Sequence, residues 1–315
     1  MRVARYIGGG RITISEEPAP ICPPGGLLVQ TEACGLCSGE LMAWYMDRKV
    51  PHVLGHEVSG VVLESLSDKF SVGDHVFPHH HAPCLHCELC ARELYVHCAQ
   101  WKRTKLVPGG MADLFAVSAE NLSDTHLVND LRPPDAALVE PLACVVKSLR
   151  LAGRPEPSAV VGLGAMGLLH LLSLPTGSVG YELSEDRRQW ANDLGLDARE
   201  PGQAQPASTI FVCPGSQKAF DFALKLATPG ATIVMFAPVG PGESLHIPQS
   251  AYFADLTVVH SYSCSIPESL AALEIIRAGA IKAEQICSDF IGLDMLPDAY
   301  QRMKAGQILK PIVLF

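Results

Sequence analysis

The run Cys84-Leu-His-Cys87-Glu-Leu-Cys90, followed by Cys98, has the spacing C-x2-C-x2-C-x7-C and limits the possible folds of this chain more than any other stretch. Four thiols this close together serve either as disulfides or as metal ligands. The start, Met1-Arg-Val-Ala-Arg5, leads into strand-like sequence and not a secretory core. No apolar run approaches the roughly 20 residues of a membrane span. These features predict a cytoplasmic protein, where disulfides are rare and clustered cysteines are read as metal ligands. Four thiolates form a closed tetrahedral zinc site without an open position, and such a site is structural. His86 and His97 lie inside the lobe but are not needed as ligands.

A second donor set is spread along the chain. Cys34-Gly-Leu-Cys37, Gly55-His56-Glu57 and Val139-Glu140-Pro-Leu142 offer a thiolate, an imidazole and a carboxylate from three separated segments. That combination suits a zinc ion with one position left open, the usual arrangement of a catalytic zinc. His79-His80-His81 precedes the cysteine lobe and reads as a solvated turn.

The length of 315 residues favours two domains. With 48% hydrophobic and 18% charged residues, the chain can bury a large core. Its net charge of −9 and lack of a long basic run give no footing for nucleic acid. In the first half, Ile12-Thr-Ile, Leu27 to Thr31, Val58 to Leu63 and Gly73 to Phe77 read as short strands or turns into strands. Pro and Gly interrupt them, as in a compact β-rich domain.

The second half changes character. Ser158 to Val161 is a short apolar run that meets Gly162-Leu-Gly164-Ala165-Met166-Gly167, then the helix-forming Leu168 to Leu174. This is G-x-G-x-x-G in strand–turn–helix context, where backbone N–H groups can approach a pyrophosphate at a helix N-terminus. Glu182 stands twenty residues after the first glycine, at the end of a strand-like run, where a carboxylate can accept hydrogen bonds from a ribose. An acidic group there repels a 2′-phosphate, so NAD is expected over NADP. Arg187 and Arg188 are close enough to line the adenine or to meet a phosphate. Thr209 to Cys213, Ala231 to Phe236 and Leu256 to Val259 read as buried parallel strands, with a helix from Phe220 ending at Thr228-Pro-Gly230. Cys213, at the end of its strand, is a further candidate cofactor contact. Ser265-Ile-Pro-Glu268 has a capping-box pattern opening a helix that stops at Gly279, and Pro311 to Phe315 reads as a terminal strand.

Taken together, Cys37, Gly55-His56-Glu57, the four-cysteine lobe, Glu140-Pro-Leu-Ala-Cys144 and Gly162 to Gly167 resemble the zinc-dependent medium-chain dehydrogenases, nearly end to end. The Glu140 segment is similar to the polyol branch typified by sorbitol dehydrogenase, and threonine dehydrogenase is similar too. The resemblance implies an α/β protein: a GroES-like β-rich catalytic domain over 1–145, carrying the lobe at 84–98 and completed by 268–315, and a doubly wound Rossmann cofactor domain over 146–267. It implies two zinc ions per chain, NAD, a small-molecule alcohol substrate, and dimers or tetramers. Carried over, Cys37, His56 and Glu140 match zinc ligands, and Glu57 matches the carboxylate beside the metal. Cys34 is read as buried packing. His81, three residues before Cys84, matches a cleft histidine of threonine dehydrogenase. The family usually places Ser or Thr, then Asp, after the ligand cysteine; here Gly39 and Glu40 stand there. A relay histidine is replaced by Met42, which leaves Ser38, Glu40 or a water chain to conduct the proton. The expected reaction is reversible oxidation of a secondary alcohol, a polyol or an amino alcohol, with NAD. The alternative is a zinc- and nucleotide-binding sensor or scaffold of the same fold that has lost turnover.

Overall fold

The computed structural model describes residues 1–153 and 157–315. The chain divides into two compact units: Met1–Ala143 with Cys264–Phe315, and Cys144–Ser263.

The first unit is β-rich. Its larger sheet runs Asp289–Gly292, Pro311–Leu314, Leu27–Gly35, Glu57–Ser65, His75–Pro78 and Thr125–Leu127, with Leu114–Val117 also paired to Leu27–Gly35. A smaller sheet orders Ile12–Glu16, Arg2–Tyr6 and His52–Val53. Along Leu27–Gly35, the fully buried Leu27 and Val29 face a core that also holds Tyr6, Phe115 and Tyr300. This alternation follows from the two-residue period of a strand covered on one face. The strand Pro311–Leu314 pairs antiparallel with Leu27–Gly35, Ile312 opposite Gly35, so the far end of the chain completes this sheet.

The second unit holds a six-stranded sheet in which every neighbouring pair is parallel. In chain order its strands are Ala159–Val161, Val179–Tyr181, Asp197–Arg199, Ala207–Val212, Ala227–Met235 and Thr257–His260. Numbered that way, they lie side by side as 3-2-1-4-5-6, the doubly wound dinucleotide-binding order. The helices Ala165–Ser173, Glu185–Asp193 and Gln217–Leu226 connect successive strands, as parallel pairing requires. Thr228-Pro-Gly230 does not form a separate turn; it lies inside the strand Ala227–Met235, at its exposed beginning. Proline has no N–H to donate, and a strand's exposed end is where that loss is tolerated.

Ser265 caps the helix Ile266–Arg277 of the first unit, its N–H bonded to Glu268 Oε2 at 3.1 Å. Among the described residues no helix is long and apolar enough to cross a membrane.

Candidate active site

Sheet register explains why distant residues meet in the first unit. Gly35 lies opposite Glu57 on one side and Ile312 on the other. Cys37 follows Gly35, His56 precedes Glu57, and Lys310 precedes Pro311. All therefore emerge at one end of three adjacent strands. Gly55 makes the turn there with φ +93°, a conformation that side chains other than glycine's rarely allow. Cys37 Sγ, a ring nitrogen of His56 and a carboxylate oxygen of Glu57 lie within 4.8 Å of one another.

Glu40 supports this set from behind. Its residue is 3% exposed, Oε1 accepts from Gly55 N at 2.8 Å and sits 3.4 Å from His56 Nδ1, and Oε2 accepts from Cys37 N at 3.4 Å. A carboxylate on Nδ1 fixes the ring and turns Nε2 toward an ion, the usual support for a metal-bound histidine. Glu40 thus positions His56, where the sequence suggested a proton relay. Ser38 is exposed.

The acidic groups around His56 favour positive charge on its ring. Burial works against charge on His56, but Cys37 and Glu40 together raise its pKa well above the ordinary value. Burial raises the Cys37 thiol. Glu57 is 1% exposed and pairs with the buried Lys310, whose ammonium also donates to Leu36 O at 3.1 Å. Glu57 Oε1 remains buried with no hydrogen-bond partner. A thiol, an imidazole and a carboxylate with an orphaned oxygen form a set that one zinc ion satisfies.

Glu140 stands in the first turn of the helix Val139–Ala152. It does not join that set. Its carboxylate groups with a ring nitrogen of His79 and with Cys264 Sγ, again within 4.8 Å, while Glu57 occupies the third place beside Cys37 and His56. Burial raises the Glu140 pKa, with His56, His79 and Lys310 pulling the other way. His79 explains the placement: its Nδ1 is 3.0 Å from Asp124 Oδ2 and 2.7 Å from His81 O, which directs Nε2 inward to Cys264 at 3.6 Å.

The triple histidine is therefore not a solvated turn. His79 is fully buried because Asp124, itself held by His126 and Ser269, gives it a partner inside. His81 hydrogen-bonds Thr104 O at 2.6 Å and packs on Trp101 at 4.1 Å between ring centroids, so it supports the cysteine lobe. Burial and the nearby His79 push it down to about 3. His80 is the member the sequence did not single out. Its ring lies 4.8 Å from that of His56, and its buried Nδ1 has no partner. A run of three identical residues gives no sign of which one faces where.

In the lobe, the sulfurs of Cys84, Cys87, Cys90 and Cys98 all lie within 4.8 Å of one another. Against the upward push of burial, backbone amides of Cys84, Trp101 and Gln100 pull the Cys98 thiol down to about 6, which favours the thiolate a metal needs. Cys34 is fully buried in the strand core.

In the second unit, Gly162 takes φ +85°, and a Cβ there would stand 2.7 Å from the Pro214 ring. Gly164 caps the helix Ala165–Ser173, whose first residues include Met166 and Gly167. The Glu182 carboxylate accepts from Leu163 N at 2.8 Å through Oε2, and from Leu183 N and Ser184 N at 2.7 and 3.0 Å through Oε1. A carboxylate offers about four lone-pair sites, so a position remains for a ribose hydroxyl. Arg187 Nη1 is 3.8 Å from Glu182, and Arg188 donates to the carbonyls of Glu182 and Leu183 at 2.8 Å each. Cys213 Sγ lies 3.8 Å from His170 Nδ1, and burial raises the thiol to about 12.

Comparison with known proteins agrees with this architecture. Residues 23–126 match the model of the alcohol dehydrogenase GroES-like domain. The D-altritol 5-dehydrogenase of Agrobacterium fabrum (strain C58) is 30% identical over 322 residues, covering 94% of each chain. The L-threonine 3-dehydrogenase of Thermococcus kodakarensis is 26% identical, covering 96% of this chain and 94% of its own. Among solved structures, the 2R,3R-butanediol dehydrogenase of Bacillus subtilis superposes with a TM-score of 0.85 at 22% identity, covering 100% of this chain and 99% of that one. With this architecture and a relative that similar along nearly its whole length, the chain belongs to the zinc-dependent medium-chain dehydrogenase family, whose members are oxidoreductases.

Proposed function

We propose that this chain catalyses reversible hydride transfer between the secondary alcohol of a polyol and NAD. The observation that carries this reading is the buried Cys37–His56–Glu57 set with an orphaned carboxylate oxygen. When bound, zinc supplies Lewis acidity toward an alcohol oxygen, and the nicotinamide accepts the hydride. Cys37 and His56 hold the ion, Glu57 or Glu140 completes its protein ligands, and the four lobe cysteines hold a second, structural ion. Glu40 fixes the His56 ring. Lys310 pairs with the Glu57 carboxylate beside the site. The glycine turn at Gly162 to Gly167 receives the pyrophosphate. Glu182 supports NAD over NADP, because its carboxylate repels a 2′-phosphate, and the nearby Arg187 and Arg188 bond Glu182 itself and the Glu182 and Leu183 carbonyls. The similarity to the altritol and threonine enzymes supports a polyol or amino-alcohol substrate.

The test is NADH absorbance on zinc-loaded protein with NAD and a panel of polyols, diols and amino alcohols. Turnover that disappears in Cys37→Ser while the lobe metal stays bound is the expected result. Silence across the panel with both ions and NAD bound would overturn the reading in favour of a sensor or scaffold.

A further inference from the structure

We infer that His80 is a specificity residue that hydrogen-bonds the hydroxyl next to the reacting carbinol, so that the site selects vicinal diols and polyols over simple secondary alcohols. This rests on the proposed function above.

Three observations carry it. First, the His80 ring lies 4.8 Å from the ring of His56, which places it at the candidate ion site. Second, neither of its nitrogens falls within the 4.8 Å set formed by Cys37, His56 and Glu57. It therefore stands one layer beyond the ligands. A substrate whose first oxygen sits at the open ligand position puts its next hydroxyl in that layer. Third, His80 Nδ1 is buried without any hydrogen-bond partner, although the flanking histidines are both committed: His79 to Asp124 and His81 O, and His81 to Thr104 O. Buried polar side-chain atoms are nearly always satisfied, and an exception calls for an explanation such as a catalytic role or a partner that completes it. A neutral imidazole nitrogen can donate to or accept from a hydroxyl according to its tautomer, whereas an alkyl group offers it nothing. A site built to bond a hydroxyl rejects the analogue lacking it far more strongly than an apolar pocket rejects an added methylene.

The experiment compares kcat/KM for 2,3-butanediol and 2-butanol in the wild type and in His80→Phe. The wild type should favour the diol. In His80→Phe the diol-to-monoalcohol ratio should fall by about tenfold, equivalent to about 1.4 kcal/mol, because the diol loses more than 2-butanol does. The His80→Gln variant, which keeps a polar group, should recover part of the ratio. An unchanged ratio in an active His80→Phe enzyme overturns the inference, as does an equal loss on both substrates in both variants, because a structural role produces that pattern. If the wild type turns over no alcohol at all, the proposed function fails first, and that outcome is read before any variant is made.

Discussion

Lowering the pH should loosen the nucleotide-binding unit through one residue, His170. The ring is fully buried against Phe211 and Phe236; Nδ1 donates to Met166 O at 2.7 Å and Nε2 lies 2.7 Å from Ser148 Oγ. Burial pushes its pKa from 6.5 down to about 4. The folded unit therefore holds His170 neutral in a pH range where the unfolded chain would bind a proton. The resulting stability is full above about pH 6.5 and is lost as the pH falls toward 4, below which no more is lost. The difference between 6.5 and about 4, at about 1.36 kcal/mol per pH unit, gives about 3 kcal/mol. His170→Gln cannot titrate, so its stability should stay nearly level over that range, although it starts lower because the ring's packing is gone. Urea unfolding of both proteins at intervals from about pH 7 to pH 4 measures the two slopes. Parallel curves would refute the reasoning, since they would mean that His170 is charged in the fold or that the unit opens to water before the residue titrates.

Two other changes have direct readouts. Glu40→Ala removes the carboxylate that holds His56 by Nδ1 and should weaken zinc at the Cys37 site by about 10- to 100-fold, measured by competition with a chelator, while the lobe keeps its ion. Cys98→Ser takes one thiolate from a four-sulfur site and should remove one zinc equivalent per chain by elemental analysis, without removing the one at Cys37.

How legible each part was depended on how local its causes are. The cysteine lobe and the glycine turn are each determined within a few neighbouring residues, so spacing alone is informative. The parallel sheet followed from short apolar runs alternating with helical ones. Placement around Glu140 was not legible. Its carboxylate is drawn to His79, and His79 is buried because Asp124, far along the chain, pairs with it. The three consecutive histidines diverge for the same reason: each finds, or lacks, a partner from a different segment. Lys310 belongs to no motif and faces Glu57 only because its strand lies beside Leu27–Gly35. Thr228-Pro-Gly230 read as a stop, yet pairing with Ala207 carries the strand through it.

The pairing of Pro311–Leu314 with Leu27–Gly35 also bears on the order of events during synthesis. Cys37 and His56 leave the ribosome early, but the ammonium that pairs with Glu57 follows only after the whole nucleotide-binding unit has been made. Until then the nascent first unit has an unfinished sheet edge and an acidic residue without its counter-charge. A chain stalled on the ribosome shortly before Lys310 would carry a fully encoded cofactor-binding unit, while its candidate metal pocket still lacks a wall.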